Sequence, residues 1–255
     1  TWAPKICTVI IAIAISLTTN IIPHVTSAFV KKDMTEVNRR FNQAISTMLI
    51  ITIPMALMLL ILSNESYTLF YGASEFGSTV LKVSAISHIF FGVWSVINTC
   101  LQSMRKFKIV YINSIAGLVS NALLDIPLIL IFDRVGLPAY TATIVSTIIG
   151  YTISITIALI YLKKEMNFTY KPTLELLKKL ILPSICLIIP LALSKIFIKF
   201  NYTRFTSLIS LAIHGIIGVI IYLAITYKNG SINDTIGNTI IDKILSKLHI
   251  KAKKN

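Results

Sequence analysis

Two stretches of this chain, Phe41 to Asn64 and Gly136 to Leu162, contain no charged side chain at all. An uncharged apolar run of 18 or more residues is long enough, as a helix rising 1.5 Å per residue, to cross a hydrocarbon layer about 30 Å thick. Similar runs recur along the sequence. Seven spans are predicted: Ile6–Val30, Phe41–Leu62, Val83–Met104, Ile109–Phe132, Leu137–Leu162, Leu180–Lys199 and Phe205–Tyr227. The sixth is the least regular, because Pro183 and Pro190 lie inside it and Lys195 near its end. Lipid offers the backbone no hydrogen bonds, so only helices or closed barrels cross it. These runs are too long and too evenly apolar for barrel strands, which alternate over about ten residues. The fold class is therefore an all-α integral membrane protein, multi-pass, with about seven transmembrane helices.

Charge supports the same reading. Only 13% of the 255 residues are charged, against about a quarter in soluble domains. The net charge of +14 would suggest nucleic acid in a soluble protein. In a membrane protein it reflects topology, because Lys and Arg collect in cytoplasmic loops, and no nucleic-acid partner is expected. Alternating the connections from side to side places 18 of the 24 basic residues on one face. They fall in four groups, Lys31–Arg40, Arg105–Lys108, Lys163–Lys179 and Lys228–Lys254. This bias predicts an external start and a cytoplasmic C-terminus. Lys195, Lys199 and Arg204 run against it. An external start without a cleavable signal leads to the expectation that further sequence precedes Thr1. The tail from Ile232 to Leu248 places Ile232, Ile236, Ile240, Ile241, Ile244, Leu245 and Leu248 on one helical face. That pattern suits an amphipathic helix on the inner membrane surface or one packed on the protein's own loops.

Chemistry-bearing motifs are few. The sequence has no GxSxG, HExxH, CxxC or Walker A pattern, and no enzyme activity is expected. Cys7, Cys100 and Cys186 are widely spaced within apolar runs and read as small packing residues. His88 and His214 fall inside spans and read as neutral histidines hydrogen-bonded between helices, with a functional role as the alternative. Asp125 is the most informative position. A carboxylate near the bilayer centre costs about 2.5–3.5 kcal/mol on insertion scales, so it faces an interior or a wet cavity. Asn121 lies one turn earlier on the same face. Together they offer hard oxygen ligands suited to Na⁺ or H⁺, with Pro127 freeing a backbone carbonyl nearby. The alternative is a solvated Asp125 at the outer interface beside Asp133 and Arg134. Pro54, Pro127, Pro183 and Pro190, with glycines at 92, 117, 150, 215 and 218, break the apolar runs. Such breaks surround transport sites in some proteins and allow close packing in others.

The order of short motifs adds a resemblance. Ile21-Ile22-Pro23 precedes Lys31-Lys32-Asp33 and Asn38-Arg39-Arg40; Ile53-Pro54 and Leu69-Phe70-Tyr71-Gly72 follow. Then come Cys100-Leu101-Gln102-Ser103-Met104-Arg105-Lys106, Leu123-Leu124-Asp125-Ile126-Pro127-Leu128-Ile129 and Asp242-Lys243-Ile244-Leu245. This series resembles the C-terminal half of the multidrug/oligosaccharidyl-lipid/polysaccharide (MOP) flippase superfamily. Its nearest look is to the branch of polysaccharide transporters, stage V sporulation protein B and MurJ-like lipid II flippases. The resemblance implies fourteen helices in the whole protein, of which the eighth to fourteenth are present. Residues 1–162 would then form five helices of the second lobe, 163–227 two additional helices, and 228–255 a basic cytoplasmic tail. It implies a cation site at Asn121, Asp125, Leu137 and Thr141, with Asp125 the Na⁺ ligand and no resident cofactor. It implies Lys5 as a contact for a substrate pyrophosphate. The partners implied are a lipid-linked oligosaccharide, membrane lipids and cell-wall synthesis proteins. The expected function is a flippase carrying an undecaprenyl-pyrophosphate-linked precursor to the outer leaflet. A drug or organic-cation exporter of the same superfamily and a non-transporting envelope scaffold are the alternatives.

Overall fold

The computed structural model describes residues 2–197 and 203–232, which form nine helices. These are α1 (Ala3–Thr19), α2 (Ile22–Val30), α3 (Met34–Ile61), α4 (Ser63–Tyr71), α5 (Glu75–Ser103), α6 (Phe107–Arg134), α7 (Ala139–Met166), α8 (Lys171–Phe197) and α9 (Arg204–Lys228). With α1 and α2 taken together, seven segments are long and apolar enough to cross a membrane. The all-helical, seven-span expectation is met. The expected tail helix lies mostly outside the described residues.

Three boundaries differ from the sequence expectation, each for a local reason. The first span divides at Asn20-Ile21, because Pro23 lacks an N–H and its ring opposes continuation of the preceding turn. Proline is tolerated in the first turn of α2, where the N–H has no helical partner. After Leu62 the polar run Ser63-Asn64-Glu65-Ser66 forms the short helix α4, which hydropathy alone does not mark. The sixth span starts nine residues earlier than expected, at Lys171, and α8 continues through Pro183 and Pro190.

The ends are set by side chains and turn geometry. Asp33 accepts from the Glu36 N–H at 3.0 Å at the start of α3, and Ser74 accepts from the Gly77 N–H at 3.1 Å at the start of α5. Thr203 and Thr206 form a capping box on α9. Lys32, Arg105 and Asn167, at the α2–α3, α5–α6 and α7–α8 turns, adopt positive φ. The chain reverses there immediately after a helix ends.

The core is centred on α3, which packs against α1, α2, α5 and α8. Phe41, Met48, Ile97, Leu101 and Leu187 are buried within it. Polar pins fix the outer pair of helices to this centre. Thr173 on α8 donates to Asn42 Oδ1 at 2.7 Å, and the Tyr222 hydroxyl on α9 donates to the Ile50 carbonyl at 3.1 Å. In contrast, α6 packs mainly on α7, and α7 in turn packs on α5.

Candidate functional site

The most concentrated polar structure runs along the α6–α7 contact. Asn113, Gly117, Asn121 and Asp125 recur every four residues on α6 and so share one face. Ser146, Gly150, Ser154 and Ala158 do the same on α7. The antiparallel helices set the two stripes against each other. Gly117 and Gly150 bring the backbones together: a Cβ on Gly117 would lie 2.7 Å from the Gly150 carbonyl oxygen, and one on Gly150 would lie 2.8 Å from that of Gly117. Close approach of this kind is the usual role of small residues every fourth position in membrane helices.

Hydrogen bonds cross on both sides of this contact. Toward the α5–α6 turn, Asn113 Nδ2 donates to Asn98 Oδ1 at 3.0 Å, and Ser154 Oγ donates to the Asn113 carbonyl at 2.8 Å. Toward the α6–α7 turn, Asn121 Nδ2 donates to Thr147 Oγ1 at 3.1 Å. Ser146 Oγ donates to Asp125 Oδ1 and stands 3.5 Å from Asn121 Oδ1. Beside this ladder a cleft of about 320 Å³ opens, lined by Trp94, Leu118, Asn121, Thr147, Gly150 and Tyr151. The buried Trp94 Nε1–H has no partner among the described residues.

Depth follows from helix geometry. The 28 residues of α6 are about 42 Å long at 1.5 Å each. Asp125 lies four to five residues from the helix midpoint, about 7 Å, and hence inside a hydrocarbon layer about 30 Å thick. It is half-buried against α7 and nine residues from Arg134.

Of the other expected site residues, Leu137 lies in the α6–α7 connection, its N–H donating to the Phe132 carbonyl at 2.8 Å. Thr141 occupies the first turn of α7, its N–H donating to Pro138 at 2.9 Å. Thr141 is five residues from Ser146, about 7.5 Å along the axis. The α7 side chains opposite Asn121 and Asp125 are thus Thr147 and Ser146. Lys5 is exposed near the start of α1, its ammonium 3.8 Å from the centre of the Trp2 ring. His88 Nδ1 lies 2.9 Å from the Ser84 carbonyl and His214 Nδ1 lies 2.8 Å from that of Ser210, each within its own helix. Cys7 and Cys100 are buried packing residues.

One ion pair was not anticipated. Glu65, 1% exposed on α4, meets Lys195 of α8 at 2.6 Å. This ion pair accommodates Lys195, one of the cations that run against the charge bias. The two residues are 130 positions apart, and no local pattern links them. Ser146 was also missed, although its spacing from Gly150 and Ser154 is visible in the sequence.

Comparison with known proteins places this geometry in context. The family model described as "Lipid II flippase MurJ" matches residues 6–215. A Bacillus subtilis (strain 168) protein named lipid II flippase MurJ is 25% identical over 250 residues, covering 94% of this chain and 44% of that protein. A solved structure described as lipid II flippase MurJ in an inward closed conformation aligns with a TM-score of 0.70 at 22% identity. That alignment covers 88% of this chain and 45% of the solved one, so the chain spans less than half the length of these relatives.

Proposed function

Because this chain belongs to the MurJ lipid II flippase family, we propose that it supplies the second half of a flippase for an undecaprenyl-pyrophosphate-linked cell-wall precursor, with lipid II the substrate. The precursor's polar head would cross between this half and the remainder of the protein by alternating access. The family match over residues 6–215 is the observation that carries this reading. The polar ladder along the α6–α7 contact supports it, since a static membrane anchor has no use for a carboxylate at this depth.

The residues act as follows in this reading. Asn121 and Asp125 hold a cation, Na⁺ or H⁺, at the α6–α7 contact. Their donor chemistry fits: a carboxylate and an amide oxygen are hard ligands of the kind that suit hard cations. Such a cation supplies positive charge that compensates the carboxylate in lipid. The family resemblance implies Leu137 and Thr141 as further ligands, whereas the α7 oxygens beside Asn121 and Asp125 are those of Thr147 and Ser146. Lys5 lies at the exposed N-terminal end, where its ammonium can meet a diphosphate. The basic faces of the bundle lie in the cytoplasm, as does the C-terminus. An inside-negative potential then favours outward movement of the diphosphate by about 2.3 kcal/mol per charge per 100 mV. Cell-wall synthesis proteins that use the flipped precursor are the expected partners.

The test is a leaflet-accessibility assay. Cells depleted of the intact protein are treated with a membrane-impermeant reagent that modifies lipid II. The expected result is a severalfold loss of reactive, outer-leaflet lipid II while total lipid II is maintained or rises. An unchanged outer-leaflet fraction contradicts the proposal.

A further inference from the structure

Three side-chain oxygens from two helices converge at the end of the polar ladder: Asp125 Oδ1, Asn121 Oδ1 and Ser146 Oγ. Ser146 is completely buried. Its hydroxyl has one proton and three acceptors in reach, namely Asp125, the Asn121 amide oxygen at 3.5 Å and the Thr143 carbonyl at 2.9 Å. A hydroxyl gives that proton to one acceptor at a time and keeps lone pairs for another group. Beside a bare carboxylate the charge-assisted bond to Asp125 is the strongest choice. The Asn121 amide is oriented independently. Its Nδ2 donates to Thr147 Oγ1 at 3.1 Å, and Thr147 Oγ1 in turn lies 2.8 Å from the Thr143 carbonyl. The amide oxygen is thereby left on the Ser146 side.

We propose that Ser146 is an α7 ligand of the cation held by Asn121 and Asp125, a role the family match does not assign. This rests on the cation reading above. With the carboxylate bare, the Ser146 hydroxyl donates to Asp125. With a cation present, the carboxylate no longer draws that proton. The hydroxyl then turns it to the Thr143 carbonyl and presents a lone pair to the ion. No bond is made or broken in the protein; one rotor exchanges acceptors. Ser146 therefore joins α6 to α7 in both states, once as a hydrogen-bond donor and once as an oxygen ligand. Thr147 is a positioning residue, fixing which end of the Asn121 amide faces the ion.

The test is Na⁺-dependent thermal stabilisation of the intact protein in detergent, titrated with NaCl against choline chloride at constant ionic strength and pH. Wild type is expected to stabilise with Na⁺ specifically, and Asp125→Asn to lose the response. Ser146→Ala should move the Na⁺ midpoint about tenfold or more to higher concentration. Ser146→Cys, close in size but carrying a sulfur that is a poor ligand for a hard cation, should do the same. It also serves where the alanine variant does not fold. A purely structural Ser146 would lower the melting temperature in choline and leave the Na⁺ midpoint in place, which overturns the proposal. A Na⁺ response lost in Asp125→Asn but unchanged in both Ser146 variants removes Ser146 and leaves the cation reading standing. A wild type with no Na⁺-specific response removes the Na⁺ reading and the Ser146 role with it.

Discussion

The α3-centred core and the α6–α7 hairpin are built on opposite terms. In α3, 61% of the most apolar stretch is buried against other helices; in α6 the share is 6%. The core is held by interdigitated apolar side chains, with a few polar pins such as Asn42–Thr173 and Tyr222–Ile50. The hairpin is held by backbone contact at Gly117 and Gly150 and by a ladder of buried polar groups. The outer face of α6, with Tyr111, Ile115, Leu118, Leu123 and Ile126 exposed, meets lipid or the rest of the intact protein. A region packed like α3 has one arrangement of its side chains. A region joined by hydroxyls and amides can exchange partners without losing its helices. That is the property a coupling site needs, and it lies where the packing is thinnest.

The contrast can be broken at either region. The largest effect is expected for Gly150→Leu, because even a Cβ there lies 2.8 Å from the Gly117 carbonyl oxygen. The hairpin must separate, and fluorescence size-exclusion chromatography should show loss of the monodisperse peak. Phe41→Ala acts on the core, where Phe41 is fully buried and meets Phe168 edge-on at 5.4 Å. It should cost about 3–5 kcal/mol in equilibrium unfolding. Glu65→Gln leaves Lys195 without its carboxylate. Because Lys195 is 23% exposed and can turn partly to water, the loss should lie below the fully buried range, at about 2 kcal/mol. Adding Lys195→Met should restore most of it. The smallest effect is expected for Tyr222→Phe, which removes one buried hydrogen bond to the Ile50 carbonyl, about 1 kcal/mol. If Phe41→Ala altered Na⁺ stabilisation as strongly as Ser146→Ala, the division of labour between core and hairpin would be wrong.

Much of this was legible in the sequence because lipid imposes a coarse rule. Uncharged runs mark spans, and all seven appear. The rule fails where a helix is short or polar: α4 was missed because Ser63-Asn64-Glu65-Ser66 reads as a loop. It also blurs at α8, whose first turns carry Lys171, Glu175, Lys178 and Lys179 outside any apolar window. At the site, Asp125 and Asn121 stood out because a carboxylate is anomalous in an apolar run. Ser146 did not, since hydroxyls are common in membrane helices and often bond their own backbone. Only the pairing of two helices shows that this hydroxyl faces Asp125. The Glu65–Lys195 contact is farther still from sequence reading, because it depends on tertiary contact between α4 and α8.

The flippase account is tested most directly by lipid II exposure in cells whose sole copy of the intact protein carries Asp125→Asn. Leu123→Ala, on the exposed face of α6, serves as the control. The account predicts that Asp125→Asn loses most outer-leaflet lipid II at normal protein levels, while Leu123→Ala keeps it. Wild-type exposure with Asp125→Asn would contradict the account, because the carboxylate inside the membrane would then have no part in moving the precursor.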